Sequence, residues 1–153
     1  MLRSSRVMAL LICVVMAFGM IPQLSFADGE MRIGQSCALT GFLKKLGQGM
    51  RSGAHAYISE KNAAGGINGR TIRLVTMDDA YVPARTHTNT LELIRQHKVH
   101  ALAFFVGTPT SKEIFDLVNQ ENIPYYWPFT GAEFLRTPVS PTIFNGRASY
   151  NQE

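Results

Sequence analysis

The chain has 153 residues, a formal net charge of +4 and 46% apolar residues. This length supports a single domain that buries about two thirds of the surface of its unfolded chain. Arg3 and Arg6 supply two of the four excess positive charges, and no basic stripe with interleaved aromatic residues follows them, so nucleic-acid binding is not expected.

Residues 1–27 have the features of an export signal. Arg3 and Arg6 form a positive n-region, Val7–Ile21 an apolar h-region, and Ser25-Phe26-Ala27 a small-x-small cleavage site. Because the apolar run is shorter than the ~20 residues of a membrane-spanning helix, we expect cleavage after Ala27, with a retained anchor as the alternative. The mature chain would then be residues 28–153, a periplasmic protein without a stable membrane span.

Strands and helices alternate along the rest of the chain. Short apolar runs predict the strands, and apolar residues at a spacing of three and four predict the helices. The predicted strands are Glu30–Ser36, Thr71–Met77, Ala101–Val106, Tyr125–Trp127 and Thr142–Phe144. A loop over Ala38–Gly49 precedes the predicted helices, which are Met50–Asn62, Pro83 to about His97, Thr110 to Pro124, and a turn at Glu133–Arg136.

This alternation predicts parallel βαβ units with right-handed crossovers. We therefore expect an α/β fold, a single doubly wound lobe with a parallel sheet. The strand order that we predict for this sheet is 2-1-3-4-5. One stripe of the first helix should carry Met50, Ala54, Tyr57 and Ile58. The remaining predicted core consists of apolar strand and helix residues: Ile33, Ile72, Leu74, Val75, Leu102, Phe104, Val106, Ile114 and Leu117.

Two threonine-bearing turns follow neighbouring predicted strands. The first is Gly107–Thr110, and the second is Phe129–Gly131. Because the carboxyl ends of parallel strands meet at one edge, where open α/β sheets bind ligands, the two turns should lie side by side. Hydroxyl-bearing turns that open toward helices suit a carboxylate or a similar anion. Thr110, with Glu113 three residues on, also fits a capping box. Thr108 and Thr110 could therefore serve only to cap the next helix.

The sequence gives only weak indications of a metal site or a catalytic site. Asp78 and Asp79 end the second strand, where paired carboxylates could bind Mg²⁺ as in a phospho-receiver domain. Since the pair follows the second strand rather than the first, we expect Asp79 to accept hydrogen bonds from turn amides instead. The four histidines do not converge with carboxylates, no nucleophile lies near a base, and Cys37 is expected to be a buried small hydrophobe. We predict no catalytic residue, no metal and no cofactor.

Five segments, in order, carry a resemblance to a known family. They are QSCALTGFLKKLGQG at 35–49, NAAGGING at 62–69, LVTMDD at 74–79, GTPT at 107–110 and FTGAEFL at 129–135. Their spacing is similar to that of type I periplasmic substrate-binding proteins, the leucine/isoleucine/valine-binding family of ABC importers. The resemblance covers Met31–Glu153 and implies two α/β lobes with a ligand in the cleft between them. Residues 28–153 would be the N-terminal lobe, with the second lobe absent.

The resemblance also implies roles for individual residues. Thr108 matches the hydroxyl that holds the carboxylate of the ligand, although it could act only as a helix cap. Phe129, Thr130 and Gly131 match the segment that completes the polar pocket, although Phe129 could belong to the core.

Two further positions are implied at the rim of the cleft. Leu46 matches a bulky first-loop side chain that covers the ligand, although it could simply pack the loop. Tyr150 matches the first hinge, although it could be a frayed end.

The implied function is that of a truncated extracytoplasmic solute-binding component of an ABC importer for amino acids or related small carboxylates. Its partner would be an ABC permease if a complete receptor exists. Two other classes stay open on the sequence alone: an exported regulatory or sensor lobe that docks on a partner protein, and a small flavodoxin-like receiver or enzyme.

Overall fold

A computed structural model describes residues 29–153 of the chain. The expected export signal and its cleavage after Ala27 lie outside these residues. Within them, no helix is long and apolar enough to cross a membrane.

The sheet has five parallel strands in the order β2-β1-β3-β4-β5, which confirms the predicted order. Strand β1 lies between β2 and β3 because both pair with it, and Gly34 is the partner of Val75 on one side and of Leu102 on the other. The strand bounds are β1 Met31–Cys37, β2 Ile72–Asp78, β3 Ala101–Ala103, β4 Tyr125–Tyr126 and β5 Ile143–Phe144.

Helices lie on both faces of this sheet. Their bounds are α1 Lys44–Ala63, α2 Pro83–Arg95, α3 Thr108–Glu113 and α4 Phe115–Gln120, with a short 3₁₀ turn at Glu133–Leu135. On one face, Leu93 of α2 and Ile114 and Val118 near α4 pack with Leu102 and Tyr125 in the main core. On the other face, α1 covers β1 and β2 through a second cluster: Ala54, Ile58, Ile72 and Leu74.

Helix α1 covers only part of the second face, and side chains of β4 and β5 on this face are exposed. Because side chains alternate along a strand, Tyr126 and Phe144 point away from the main core that holds Tyr125 and Ile143. Their rings stack at a centroid distance of 4.5 Å, and Trp127 packs edge-on against Phe104. Tyr126, Trp127 and Phe144 are all exposed. We call these three residues the aromatic face.

The first helix begins six residues before the predicted position, so part of the predicted loop Ala38–Gly49 is helical. The reason is a backbone contact: a Cβ on Gly47 would collide with the carbonyl of Ala38. Gly47 therefore lies where α1 packs closely against the segment after β1, rather than in a turn. The stripe prediction holds for Ala54 and Ile58 but is wrong for Tyr57, which is exposed.

The predicted third helix is two short helices that meet at Ile114. The capping box is wrong, because α3 starts at Thr108 with Gly107 as its N-cap. Pro109 explains this start, since its fixed φ and missing N–H suit the first helical turn. The predicted strand over residues 101–106 is regular only to Ala103, because Phe104 adopts a left-handed φ of 62°.

The predicted core is mostly correct. Five of the nine residues are buried, namely Ile72, Leu74, Leu102, Val106 and Ile114. The other four, which are Ile33, Val75, Phe104 and Leu117, are only partly buried. Phe105 and Tyr125 were not predicted to be in the core, yet they are the two largest fully buried side chains.

Candidate functional site

The two threonine-bearing turns lie side by side at the carboxyl edge of the sheet, as predicted. After the irregularity at Phe104, the chain pairs again through a parallel bridge between Val106 and Phe129. Phe129 N donates to the carbonyl of Phe105 at 2.7 Å, and Gly107 N donates to the carbonyl of Phe129 at 3.3 Å. The position of each turn is therefore fixed by backbone hydrogen bonds to the other.

Three hydroxyl groups meet where the turns touch. Thr108 Oγ1 lies 2.6 Å from Thr130 Oγ1, and the hydroxyl of Tyr150 lies 3.2 Å from Thr130 Oγ1 and 3.4 Å from Thr108 Oγ1. We call these three residues the hydroxyl cluster. Thr130 is fully buried and also accepts a hydrogen bond from Ala132 N, whereas Tyr150 is 51% exposed. Because a hydroxyl can donate and accept, the outer two can turn toward a ligand.

Tyr150 is fixed in this position by Gly131. Tyr150 N donates to the Gly131 carbonyl at 2.8 Å, and a Cβ on Gly131 would lie only 2.6 Å from Tyr150 Cδ1. A glycine is therefore required for the close approach. Hydrogen bonds from Thr108 and Thr130, with a smaller contribution from the positive charge of Arg147, lower the pKa of Tyr150. These contacts bring the predicted hinge residue directly into the site.

Two aromatic rings, Phe42 and Tyr81, lie beside the Gly107 turn next to Thr108, and sequence reasoning missed them. We call this pair the aromatic wall. The ring of Tyr81 lies where a Cβ on Gly107 would be, and Phe42 packs edge-on against Tyr81 at 6.0 Å between centroids. Both Ala80 and Tyr81 have left-handed φ values, of 49° and 64°. Burial raises the pKa of Tyr81. No local sequence signal marks this wall, because non-glycine residues rarely adopt these φ values.

Asp79 holds the backbone of Tyr81 in position. Its Oδ1 accepts a hydrogen bond from Tyr81 N at 2.8 Å, which confirms the expected turn-amide contact. Its Oδ2 accepts from the hydroxyls of Ser36 at 2.9 Å and Thr86 at 3.1 Å. The side chain is fully buried, and burial raises its pKa despite these three donors. Asp79 therefore stabilises the backbone of the site rather than facing a ligand.

Asp78 joins the first loop to the same turn. Its Oδ1 accepts from Leu39 N at 2.7 Å, from Thr40 N at 3.2 Å and from Ala80 N at 2.9 Å. Its Oδ2 accepts from Thr40 Oγ1. Since Phe42 and Tyr81 follow the two segments tied here, Asp78 sets the spacing between them.

Two of the predicted site residues lie apart from the hydroxyl cluster. Thr110 is fully buried inside α3, and its hydroxyl donates to the carbonyls of Val106 at 2.6 Å and Gly107 at 3.0 Å, so it does not act as the expected helix cap. Leu46 lies in the first turn of α1 rather than in a loop, and its side chain is 39% exposed. Thr108, Phe129, Thr130, Gly131 and Tyr150 are brought together.

Residues 30–153 match the family model described as Periplasmic binding protein. The chain belongs to the periplasmic binding protein family. The match confirms the resemblance found in the sequence, and the parallel sheet order agrees with the fold of the solved relatives.

The individual relatives bind or transport small molecules according to their descriptions. Leu/Ile/Val-binding protein homolog 2 of Brucella abortus (strain 2308) is 39% identical over 72 residues, which are 47% of this chain and 18% of the relative. The crystal structure of a possible leucine/isoleucine/valine-binding protein from Rhodopirellula baltica SH 1 is 37% identical, with a TM-score of 0.75, over 82% of this chain and 33% of that one.

A third relative was solved with its ligand. The branched-chain amino acid transporter substrate binding protein from Streptococcus pneumoniae, in complex with isoleucine, is 26% identical, with a TM-score of 0.70, over 78% of this chain and 34% of that one. The present chain thus spans about a third of the length of these solved relatives. It is a periplasmic binding protein, and the relatives named here are described as binding proteins or substrate-binding proteins.

Proposed function

We propose that residues 28–153 are the N-terminal lobe of a two-lobed receptor that delivers an amino acid or a related small carboxylate to an ABC permease. The observation that carries this proposal is the meeting of Thr108, Thr130 and Tyr150 within 3.4 Å at the carboxyl edge of the sheet. Ligands bind at this edge in open α/β sheets.

The hydroxyl cluster suits the polar end of such a solute. Thr130 is buried and satisfied within the protein, whereas Thr108 and Tyr150 reach solvent and lie close enough to donate to one carboxylate. The Phe42 and Tyr81 rings on one side and Phe129 on the other are apolar surfaces for the rest of the solute. No step in this process needs a proton transfer or a covalent intermediate, which agrees with a binding role.

The proposed affinity of this chain alone is weak. Each neutral hydrogen bond contributes about 0.5–1.5 kcal/mol net, so two of them supply roughly 1–3 kcal/mol. A dissociation constant of about 1 mM corresponds to roughly −4.1 kcal/mol and one of about 1 μM to roughly −8.2 kcal/mol. Two hydrogen bonds fall short of the roughly 4.1 kcal/mol of a 1 mM complex, so we expect one lobe to bind at millimolar or weaker affinity, and a second lobe would supply the remaining contacts.

Export belongs to the same proposal. The signal-like pattern of residues 1–27 and the family membership support a periplasmic location. N-terminal sequencing of exported material should give a chain that begins at Asp28. Material that begins at Met1 and stays in the cytoplasm would contradict this part of the proposal.

An NMR titration of the purified chain with L-leucine tests the binding site. We expect chemical-shift changes near residues 108 and 130 that saturate at millimolar ligand, and their loss in Thr108→Val. The matched control is Thr88→Val, which removes an exposed α2 hydroxyl that donates only to the carbonyl of Ala84. Micromolar binding that Thr108→Val leaves unchanged would place the site elsewhere and overturn the proposal.

A further inference from the structure

Arg147 lies against two residues of the site without belonging to the hydroxyl cluster. Its guanidinium carbon is 5.2 Å from the centre of the Phe129 ring and 5.3 Å from the centre of the Tyr150 ring. At these distances a cation is attracted to the face of an aromatic ring. A positive charge is therefore held between the two rings that border the proposed ligand.

The guanidinium of Arg147 forms a bidentate pair with the carboxylate of Glu153. Arg147 Nε donates to Glu153 Oε1 at 2.7 Å, and Arg147 Nη2 donates to Glu153 Oε2 at 2.6 Å. The two side chains are 32% and 40% exposed. Bidentate pairing of this kind accepts any planar carboxylate, and a surface pair contributes little to stability. The partner of Arg147 can therefore be exchanged at small cost.

The backbone at Arg147 is tied to the site by hydrogen bonds from Arg136. Arg136 donates through Nη2 to the carbonyls of Arg147 at 2.6 Å and Ala148 at 3.2 Å, and through Nη1 to the carbonyl of Ala132 at 2.9 Å. Ala132 follows the turn that carries Thr130 and Gly131. Arg136 thus links the backbone at Arg147 to the turn that carries Thr130.

The hydroxyl cluster itself carries no positive charge. Its three groups are hydroxyls, and a hydroxyl donates a hydrogen bond to a carboxamide oxygen as well as to a carboxylate oxygen. A nearby guanidinium adds a charge–charge attraction that a carboxylate experiences and a carboxamide does not, and hydrogen bonds with an ionised partner are roughly twice as strong as neutral ones. Arg147 supplies such a cation beside Tyr150.

We propose that Arg147 is a specificity-determining residue that leaves Glu153 and pairs with the anionic end of the solute, so that the site selects carboxylates over neutral analogues. This inference rests on the proposed function of the same site. Glu153 then acts as an internal competitor that occupies the guanidinium until a ligand arrives.

The test uses two probes with one carbon skeleton, isovalerate and isovaleramide, titrated by NMR into the full chain. We expect Arg147→Gln to weaken isovalerate binding about two- to fivefold, the scale of a solvent-exposed ion pair, and to leave isovaleramide binding unchanged. Glu153→Gln should strengthen isovalerate binding by a similar factor, because it frees the guanidinium. The matched control is Arg73→Gln, which removes the same charge from β2, where Arg73 approaches Glu30.

The outcomes separate this inference from the proposed function. If Thr108→Val abolishes isovalerate binding but Arg147→Gln keeps the preference for isovalerate over isovaleramide, the role of Arg147 is overturned and the proposed function stands. Equal weakening of both probes by Arg147→Gln also overturns it, since that result indicates a structural role. If the wild-type chain binds L-leucine but neither probe, this inference fails and the proposed function stands. If it binds none of the three at the highest soluble concentration, both fail.

Discussion

Replacing Asp78 with asparagine tests whether one ionised carboxylate holds the first loop to the edge of the sheet. The carboxylate accepts hydrogen bonds from the backbone N–H groups of Leu39, Thr40 and Ala80 and from the Thr40 hydroxyl. Asparagine has nearly the same shape, but it carries no charge and turns one acceptor oxygen into a donor. One or more of these donors would then lose its partner.

The size of the effect follows from the pKa of Asp78. Partial burial opposes ionisation, but the hydrogen bonds from Thr40, Leu39 and Ala80 outweigh it and lower the pKa from 3.8 to about 2. This difference converts to roughly 2.4 kcal/mol at about 1.36 kcal/mol for each pKa unit. Since the side chain is partly exposed to solvent, screening reduces the expected contribution to about 1–1.5 kcal/mol.

The direction of the pKa shift determines the pH range in which Asp78 stabilises the folded state. The folded pKa of Asp78 lies below the unfolded value, so the unfolded state binds more protons at pH 2–4 and stability rises with pH there. The contribution is present above about pH 4 and is lost as the pH falls through about 2. Asp79 acts in the opposite sense: its pKa is raised by burial, so its contribution decreases as the pH rises above 3.8. Comparing the variant with wild type at each pH isolates Asp78.

Urea unfolding followed by far-UV circular dichroism measures the free energy of unfolding. We expect Asp78→Asn to be about 1–1.5 kcal/mol less stable than wild type at pH 7, with a gap that shrinks as the pH falls from 4 toward 2. The matched control is Glu60→Gln, an exposed α1 side chain, which should show no such gap. A gap of equal size at pH 7 and pH 2 would refute the reasoning, because it would reflect packing rather than the ionised carboxylate.

Three further predictions follow from the geometry. Trp127 is the single tryptophan and is 58% exposed, so its emission should be quenched readily by acrylamide; a shielded, blue-shifted emission would show that something covers the aromatic face. Gly131→Ala should displace Tyr150 and lower the free energy of unfolding by about 1–3 kcal/mol, the usual cost of overpacking, and an unchanged urea midpoint would contradict the close approach. In material that begins at Asp28, Cys37 should react with a thiol reagent only after denaturation, because burial raises its pKa to about 12; rapid labelling of the folded chain would contradict its burial.

The sequence was sufficient to predict the two threonine turns at one edge. Thr108 and Thr130 are 22 residues apart, yet each follows a predicted strand of the same parallel sheet, and parallel strands end at the same edge. Tyr150 could be assigned only from the resemblance, because no local pattern shows that a residue 20 positions after Thr130 returns to its hydroxyl.

The aromatic wall could not be predicted, since it depends on two unfavourable local conformations. Ala80 and Tyr81 both adopt left-handed φ values, which non-glycine residues rarely do. The buried carboxylate of Asp79 and the backbone contact with Gly107 hold Tyr81 there. Local propensity disfavours the turn, and tertiary contacts override it.

What the sequence determined by itself is the alternation of strands and helices, because hydrophobic period and short apolar runs depend on neighbouring residues alone. That alternation sufficed for the doubly wound parallel sheet, but not for its strand order, because more than one order occurs in such sheets. Only the tertiary structure decided the start of α1 at Lys44, the break at Ile114 and the place of Arg147 between two rings. The close contact of Gly47 with Ala38 and the packing of Arg147 against Phe129 arise only when the chain is folded, so the hydrophobic pattern of neighbouring residues does not reveal them.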